Sequence, residues 1–251
     1  MAKVFLGVTL GASLLNNAAK RGLVPQGLDR LRPDDPRQAE LERMDTSPLV
    51  DYAAGNPEEC CAELNTLVKA ARRWDALFSD DVRISLYASD TGQGRLVAKV
   101  LKEAACKVLR ARTCSASVRE IKGLGREAEF QEALLGLAAA IKEDFSKARG
   151  EGRLAYLIAS GGFKPESTFA AIAAYIAGAN GIFYVHETFQ KLVEFPMLPL
   201  QVKEVVARYS RGEADEHALV AELGLDVHHL EEVGLLAAPD RRLNPLIAAL
   251  I

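Results

Sequence analysis

Cysteine is scarce. Cys60, Cys61, Cys106 and Cys114 are the whole complement of 251 residues, and no two stand at C-x-x-C spacing. That argues against a zinc site or a disulfide framework and reads as small buried side chains in a reducing compartment. No apolar run approaches the roughly 18 residues that cross a membrane. A secretory leader is not expected either, because Gly7 and Gly11 interrupt the apolar start MAKVFLGVTLG and no A-x-A site follows it. Basic charge is not in excess. The formal net charge is −3, so no global positive field exists to hold duplex DNA, although a local pocket for a small anion is not excluded. The expectation is a cytoplasmic protein with no membrane partner.

What the chain does have is a core. Hydrophobic residues make up 49% of the sequence, enough for one substantial domain and a small satellite. Short apolar, β-rich runs at residues 3–9, 82–88, 107–112, 154–159 and 181–186 read as strands, with another short one possible at 117–121. Between them lie helical patterns. One runs from Ser13, read as a cap, to about Arg21. One runs from Pro57 to about Phe78, with Cys60, Leu64, Leu67, Val68, Ala71 and Trp74 on one stripe. Others cover about 93–105, 128–148 and 165–179. Residues 23–55, rich in Pro, Asp and Arg, read as a long connection with one or two short helices. Strands alternating with helices predict an α/β fold with a Rossmann-like, doubly wound, mainly parallel sheet. The Phe195-Pro-Met-Leu-Pro199 segment then punctuates the chain. Two domains follow from this, residues 1–195 as the α/β domain and 196–251 as a small winged-helix-like unit with a wing near 235–243.

Three strand-to-helix turns carry the chemistry: Thr9-Leu-Gly11-Ala12-Ser13-Leu-Leu, Ser89-Asp90-Thr91-Gly92-Gln-Gly94-Arg and Ser160-Gly161-Gly162-Phe163-Lys164-Pro-Glu. In a doubly wound sheet all three lie on the rim formed by the carboxyl ends of the strands, where ligands bind. Small residues let a ligand approach the backbone, and helix N-termini offer N–H groups to phosphate oxygens. Lys164 is the one cation fixed within such a turn. Taken singly, each turn reads more readily as tight backbone geometry with a solvated lysine; three on one rim point to a phosphate cradle. No metal-binding carboxylate cluster accompanies them, so a metal or other cofactor is not expected.

Weaker signals fall away. Gly123-Leu-Gly125-Arg-Glu-Ala128 fits G-x-G-x-x-A, but the strand before it is polar and short. Arg211 to His217 encloses Gly212 and reads as a surface turn. His228-His229 has no partner at metal-ligand spacing. Asp90 has the position of a general base, yet an Asp after a strand is commonly a turn former.

The three turns, with Ile121-Lys-Gly-Leu-Gly125 and the Phe195-Pro-Met-Leu-Pro segment, resemble the CARF (CRISPR-associated Rossmann fold) family of type III CRISPR systems over about residues 3–199. Within it the chain is most similar to the stand-alone ring nucleases. The resemblance implies a homodimer that binds a cyclic oligoadenylate, cyclic tetra-adenylate first, across its two-fold axis. It further implies metal-independent cleavage to linear di-adenylate ending in a 2′,3′-cyclic phosphate. Lys164 matches the family's third-turn lysine and Ser13 its first-turn serine, the two residues given catalytic roles. Thr9, Gly11, Ala12, Ser13, Ser89, Asp90, Thr91, Gly92, Gly161, Gly162, Phe163 and Lys164 are the expected ligand contacts. Ala12 and Ser160 stand where the family often has Thr, which bears on fine contacts and not on the mode of binding.

Two further readings stay open. One is a ligand sensor or transcription regulator without cleavage. Against its DNA-binding form, residues 200–251 hold five Lys/Arg and nine Asp/Glu, a net of −4. The other is a ligand-activated ribonuclease, for which the chain has no room for an effector domain.

Overall fold

The computed structural model describes residues 2–162, 164–186 and 190–251. The chain divides into two compact units, Met1–Leu198 and Pro199–Ile251.

The first unit is built on a six-stranded sheet of order β3-β2-β1-β4-β5-β6, from β1 (Lys3–Thr9), β2 (Asp81–Ser89), β3 (Thr113–Ile121), β4 (Leu154–Ile158), β5 (Gly181–Val185) and β6 (Leu192–Pro196). The first five strands are parallel and β6 is antiparallel. This is the Rossmann-like, doubly wound fold. Its central strand explains itself. In β1 every residue after Lys3 is buried, without alternation, because helices cover both faces of a central parallel strand.

One face carries α1 (Ser13–Lys20), α2 (Gln38–Glu42), α3 (Ser47–Gly55), α4 (Pro57–Cys60), α5 (Ala62–Arg73), α6 (Asp75–Phe78) and α7 (Gly92–Leu109). Their apolar sides form one core with Val4, Leu6, Val82, Ile84 and Leu86 of the sheet. The opposite face carries α8 (Phe130–Gly150) and α9 (Lys164–Ile176), with Phe145 edge-on against Phe5 at 5.2 Å between ring centres.

Several expectations need correction. The strand expected at residues 107–112 is the end of α7, whose buried stripe runs on through Ala104, Ala105 and Leu109; the chain reverses at Arg110, in the left-handed region at φ 55°, and β3 begins at Thr113. The helix expected from Pro57 to Phe78 breaks at Cys61, which is extended and caps α5 by accepting from the Leu64 N–H. Trp74, expected inward, sits where α5 ends and is 43% exposed. Ser13 does not cap α1; it is the first helical residue, after Ala12. The cysteines are not all free thiols. Cys106 and Cys114 form a disulfide, with Cα atoms 5.5 Å apart, because the reversal at Arg110 lays the start of β3 beside the end of α7. The reduced-thiol reading holds for Cys60 and Cys61, both buried.

The second unit comprises α10 (Glu204–Ser210), α11 (Glu216–Leu223), α12 (Val227–Glu232), a two-stranded ribbon of β7 (Leu236–Ala237) and β8 (Arg242–Leu243), and α13 (Pro245–Ala248). Asp215 and Asp226 cap α11 and α12. Val205, Val206, Leu219, Leu230 and Leu236 make its own small core. Among the described residues of the chain no helix is long and apolar enough to cross a membrane.

Candidate functional site

In this sheet β1 lies between β2 and β4, so the chain order reverses between β1 and β4. That is the topological switch point, where a crevice opens beyond the carboxyl ends of the strands. The first turn leaves β1 and the third leaves β4, so these two flank the crevice.

The two turns touch backbone to backbone. A Cβ added to Gly11 would lie 2.7 Å from the Gly162 nitrogen, and one added to Gly161 would lie 2.5 Å from the Thr9 carbonyl and 2.6 Å from the Gly11 nitrogen. Only glycine permits that approach. The Thr9 hydroxyl donates to the Gly161 carbonyl at 2.8 Å, tying the turns together. Thr9 is therefore a strut and not an open contact.

A buried acid completes this junction. Glu63, in the first turn of α5 and 2% exposed, accepts from the Gly11 N–H at 2.6 Å through Oε1 and from the Ser13 hydroxyl at 3.2 Å through Oε2. Burial pushes its carboxyl above the ordinary glutamate range, opposed by the hydrogen bonds from Gly11 and Ser13. The Ser13 oxygen also accepts from the Ala62 N–H at 3.2 Å. The same helix holds the third turn, through Thr66 Oγ1 against Ser160 Oγ.

The second turn is wedged by its own partners. The Asp90 carboxylate pairs with Arg126 at 2.8 Å and accepts from the Gly123 N–H at 3.1 Å, so it clamps the segment after β3 and acts as a turn former. Thr91 caps α7, accepting from Gly94 at 3.0 Å, and its hydroxyl meets that of Ser89 at 2.8 Å. Gln38 accepts from the Gln93 N–H at 2.8 Å, and its carbonyl lies where a side chain on Gly92 would be. The leading N–H groups of α7 are thus largely taken, and the second turn is a wall more than a phosphate cradle. By contrast, α1 has no side-chain cap and no acid in its first turn. Lys164 begins α9 two positions beyond Gly162 and is exposed; among the described residues no carboxylate pairs with it. Phe163 lies outside the described residues.

Between the turns is a cavity of about 270 Å³. Gly11, Ala12, Ser89, Thr91, Gly94 and Gly162 line it, with Leu31, Pro33 and Leu124 as an apolar lid and the buried Glu166 at its edge. Of the expected contacts, Gly11, Ala12, Ser89, Thr91 and Gly162 meet here, and Ser13 points instead toward α5. A larger cavity, about 410 Å³, lies against β2, β3 and α8, but its arginines Arg83, Arg119 and Arg153 are each held by a carboxylate, Glu151, Asp144 and Asp81.

Residues 58–198 match the model of the family described as CRISPR-associated protein (Cas_APE2256). The chain belongs to this CRISPR-associated family. The family is of the CARF type and connects the chain with type III CRISPR systems. The matched stretch of this CRISPR-associated protein holds α5 with Glu63, the second and third turns and β6; the first turn lies before it. Glu63, Gln38, Arg126 and Glu166 were not expected at the site. A signal for Glu63 exists: it precedes Leu67 by four and Ala70 by seven, an acid on the inward face of a helix.

Proposed function

We propose that this CRISPR-associated chain binds a cyclic oligoadenylate, cyclic tetra-adenylate first, at a homodimer cleft. It cleaves the ring without metal to linear di-adenylate with a 2′,3′-cyclic phosphate, ending a type III CRISPR signal. The observation that carries this reading is the backbone contact between the first and third turns at the switch point. It sets the uncapped start of α1 beside a turn that leads into the exposed Lys164. A helix N-terminus at the crevice, with a cation two positions beyond a glycine that lines it, suits a phosphodiester.

The chemistry asks little of the protein. A ribose 2′-hydroxyl is already tethered beside its phosphate, so the site needs to hold it in line for attack. Lys164 and the N–H groups of α1 then stabilise the charge that builds on the phosphate oxygens. A ring of four-fold pattern on a two-fold axis presents opposite phosphates to identical sites.

The test is incubation of the purified protein with labelled cyclic tri-, tetra- and hexa-adenylate in EDTA, with separation of the products. The expected result is conversion of the four-membered ring to the two-nucleotide product. Lys164→Ala is expected to slow cleavage by about 10²–10³-fold, the size of effect typical of one lost charge-stabilising donor. Rings bound and returned intact would favour the sensor reading; a lysine variant as fast as wild type would remove Lys164 from the chemistry.

A further inference from the structure

The proposed cleavage needs somewhere for the 2′-hydroxyl proton to go, and the first turn contains a route for it. We propose that Glu63 is a positioning residue that serves as the proton sink of the site, acting through the Ser13 hydroxyl. The inference rests on the cleavage reading above.

The geometry of Ser13 carries the argument. A hydroxyl has one proton to give and two lone pairs. In Ser13 the proton is directed at Glu63 Oε2, 3.2 Å away, and one lone pair is occupied by the Ala62 N–H, also at 3.2 Å. What remains is a single lone pair on an oxygen whose proton already points at a carboxylate. Ser13 is half-buried at the start of α1, so that lone pair can accept a proton from a substrate hydroxyl brought to the turn while the hydroxyl passes its own proton inward. Glu63 in turn is fixed by the 2.6 Å bond from Gly11 to its other oxygen and has no room to swing, because Gly161 packs against that oxygen.

The step balances. The ribose 2′-oxygen forms a bond to phosphorus while its proton moves to Ser13 Oγ and the Ser13 proton moves to Glu63 Oε2. The bond from phosphorus to the 5′-oxygen breaks, and the departing oxygen takes a proton from the Lys164 ammonium. The products are a 2′,3′-cyclic phosphate and a 5′-hydroxyl, with Glu63 neutral; its proton returns through Ser13 to solvent and Lys164 regains one when product leaves.

The sign of the pH dependence follows. Glu63 accepts a proton only when ionised, so the rate rises with pH through its titration, and burial moves that rise above the ordinary glutamate range. The groups facing it are the Cys61 thiol and its own N–H from α5, the Gly11 N–H and Ser13 hydroxyl from the first turn, and the Gly161 backbone from the third. Of these only Cys61 titrates, and burial pushes its thiol well up, so it stays neutral across the rise.

The experiment is single-turnover cleavage of labelled cyclic tetra-adenylate by the full chain across pH, with affinity measured separately, for wild type, Glu63→Gln, Ser13→Ala and the double variant. The expected outcome is cleavage slowed by at least about 100-fold in Glu63→Gln beyond any change in affinity, and loss of the rising limb of the profile. The double variant should be no slower than the slower single one, because both act on one relay. Wild-type rate or a retained limb in Glu63→Gln overturns the proposal, as do additive losses. If Glu63→Gln does not fold, Ser13→Ala decides alone, since it keeps the Glu63–Gly11 bond; a retained limb there also overturns the relay. Wild type that fails to bind the ring refutes the ligand reading, and wild type that binds but never cuts refutes cleavage together with the relay. A cleaving wild type with indifferent variants refutes the relay only.

Discussion

At the scale of single residues, the site depends on places where nothing larger than hydrogen fits. Gly161 is the clearest. A Cβ there would come within 2.2 Å of Glu63 Oε1 and 2.5 Å of the Thr9 carbonyl, and neither the buried acid nor the backbone of β1 can retreat. Gly161→Ala must therefore push the third turn off the first. The expected cost is about 1–3 kcal/mol or more in chemical denaturation, with loss of ring binding, because overpacking at a buried backbone junction is not relieved by rotation of a side chain. A variant that keeps wild-type stability and affinity would mean that the two turns do not need to meet. The same contacts explain why the site was only partly legible. Glycines and Lys164 announce themselves in sequence by type and spacing. Glu63 does so only through its helical phase with Leu67 and Ala70, and that signal is masked because an acid in the first turn of a helix is ordinarily read as a favourable surface charge at the helix start. Its burial is decided by the arrival of two loops from residues 9–13 and 160–162, a tertiary fact that local pattern cannot hold.

At the scale of elements, strands flanked by turns were readable and edge geometry was not. β1, β2, β4 and β5 are apolar runs of the length buried parallel strands require, and each appears within about two residues of where its pattern predicts. β3 is different. As an edge strand it alternates small polar residues such as Ser115 and Ser117 with Cys114 and Ala116, which pack on the core, so its hydrophobic signal is weak. The more apolar end of α7 captured the main strand reading, and the possible strand at 117–121 covers only the second half of β3. β6 was missed for the same reason, being an exposed antiparallel edge. The α7–β3 junction is also where the disulfide lies, and it closes a short loop between Cys106 and Cys114, eight apart in sequence. Closing a loop of that length is worth roughly 2–3 kcal/mol in the chain-entropy picture. The double replacement Cys106→Ser with Cys114→Ser should lower the unfolding free energy by about that amount, read from denaturant midpoints with and without reductant. Ring binding should persist, because the pair lies at the far end of α7 from the second turn. A variant pair as stable as wild type in non-reducing buffer would show that the bond adds no constraint to the folded protein.

At the scale of the whole molecule, size is the deciding quantity. The cavity between the three turns holds about 270 Å³, below the roughly 300–1,000 Å³ of sites that enclose a small-molecule ligand by themselves. A ring of four nucleotides is far larger than such a slot. On the proposed reading, one copy of the chain grips a fragment of the ring with the start of α1 and Lys164 at one phosphate, and the opposite phosphate needs an equivalent site. A second copy related by a two-fold axis supplies it at no cost in new sequence, because an isologous pair repeats the same contacts. The arrangement predicts a stoichiometry of one cyclic tetra-adenylate per two chains in calorimetric titration. It also predicts that the apparent affinity falls when the protein is diluted toward its dimer dissociation constant, since ligand binding and pairing are then linked. One ring per chain, with affinity independent of protein concentration, would mean that a single cavity suffices and that the four-membered ring is not the ligand it was shaped to take.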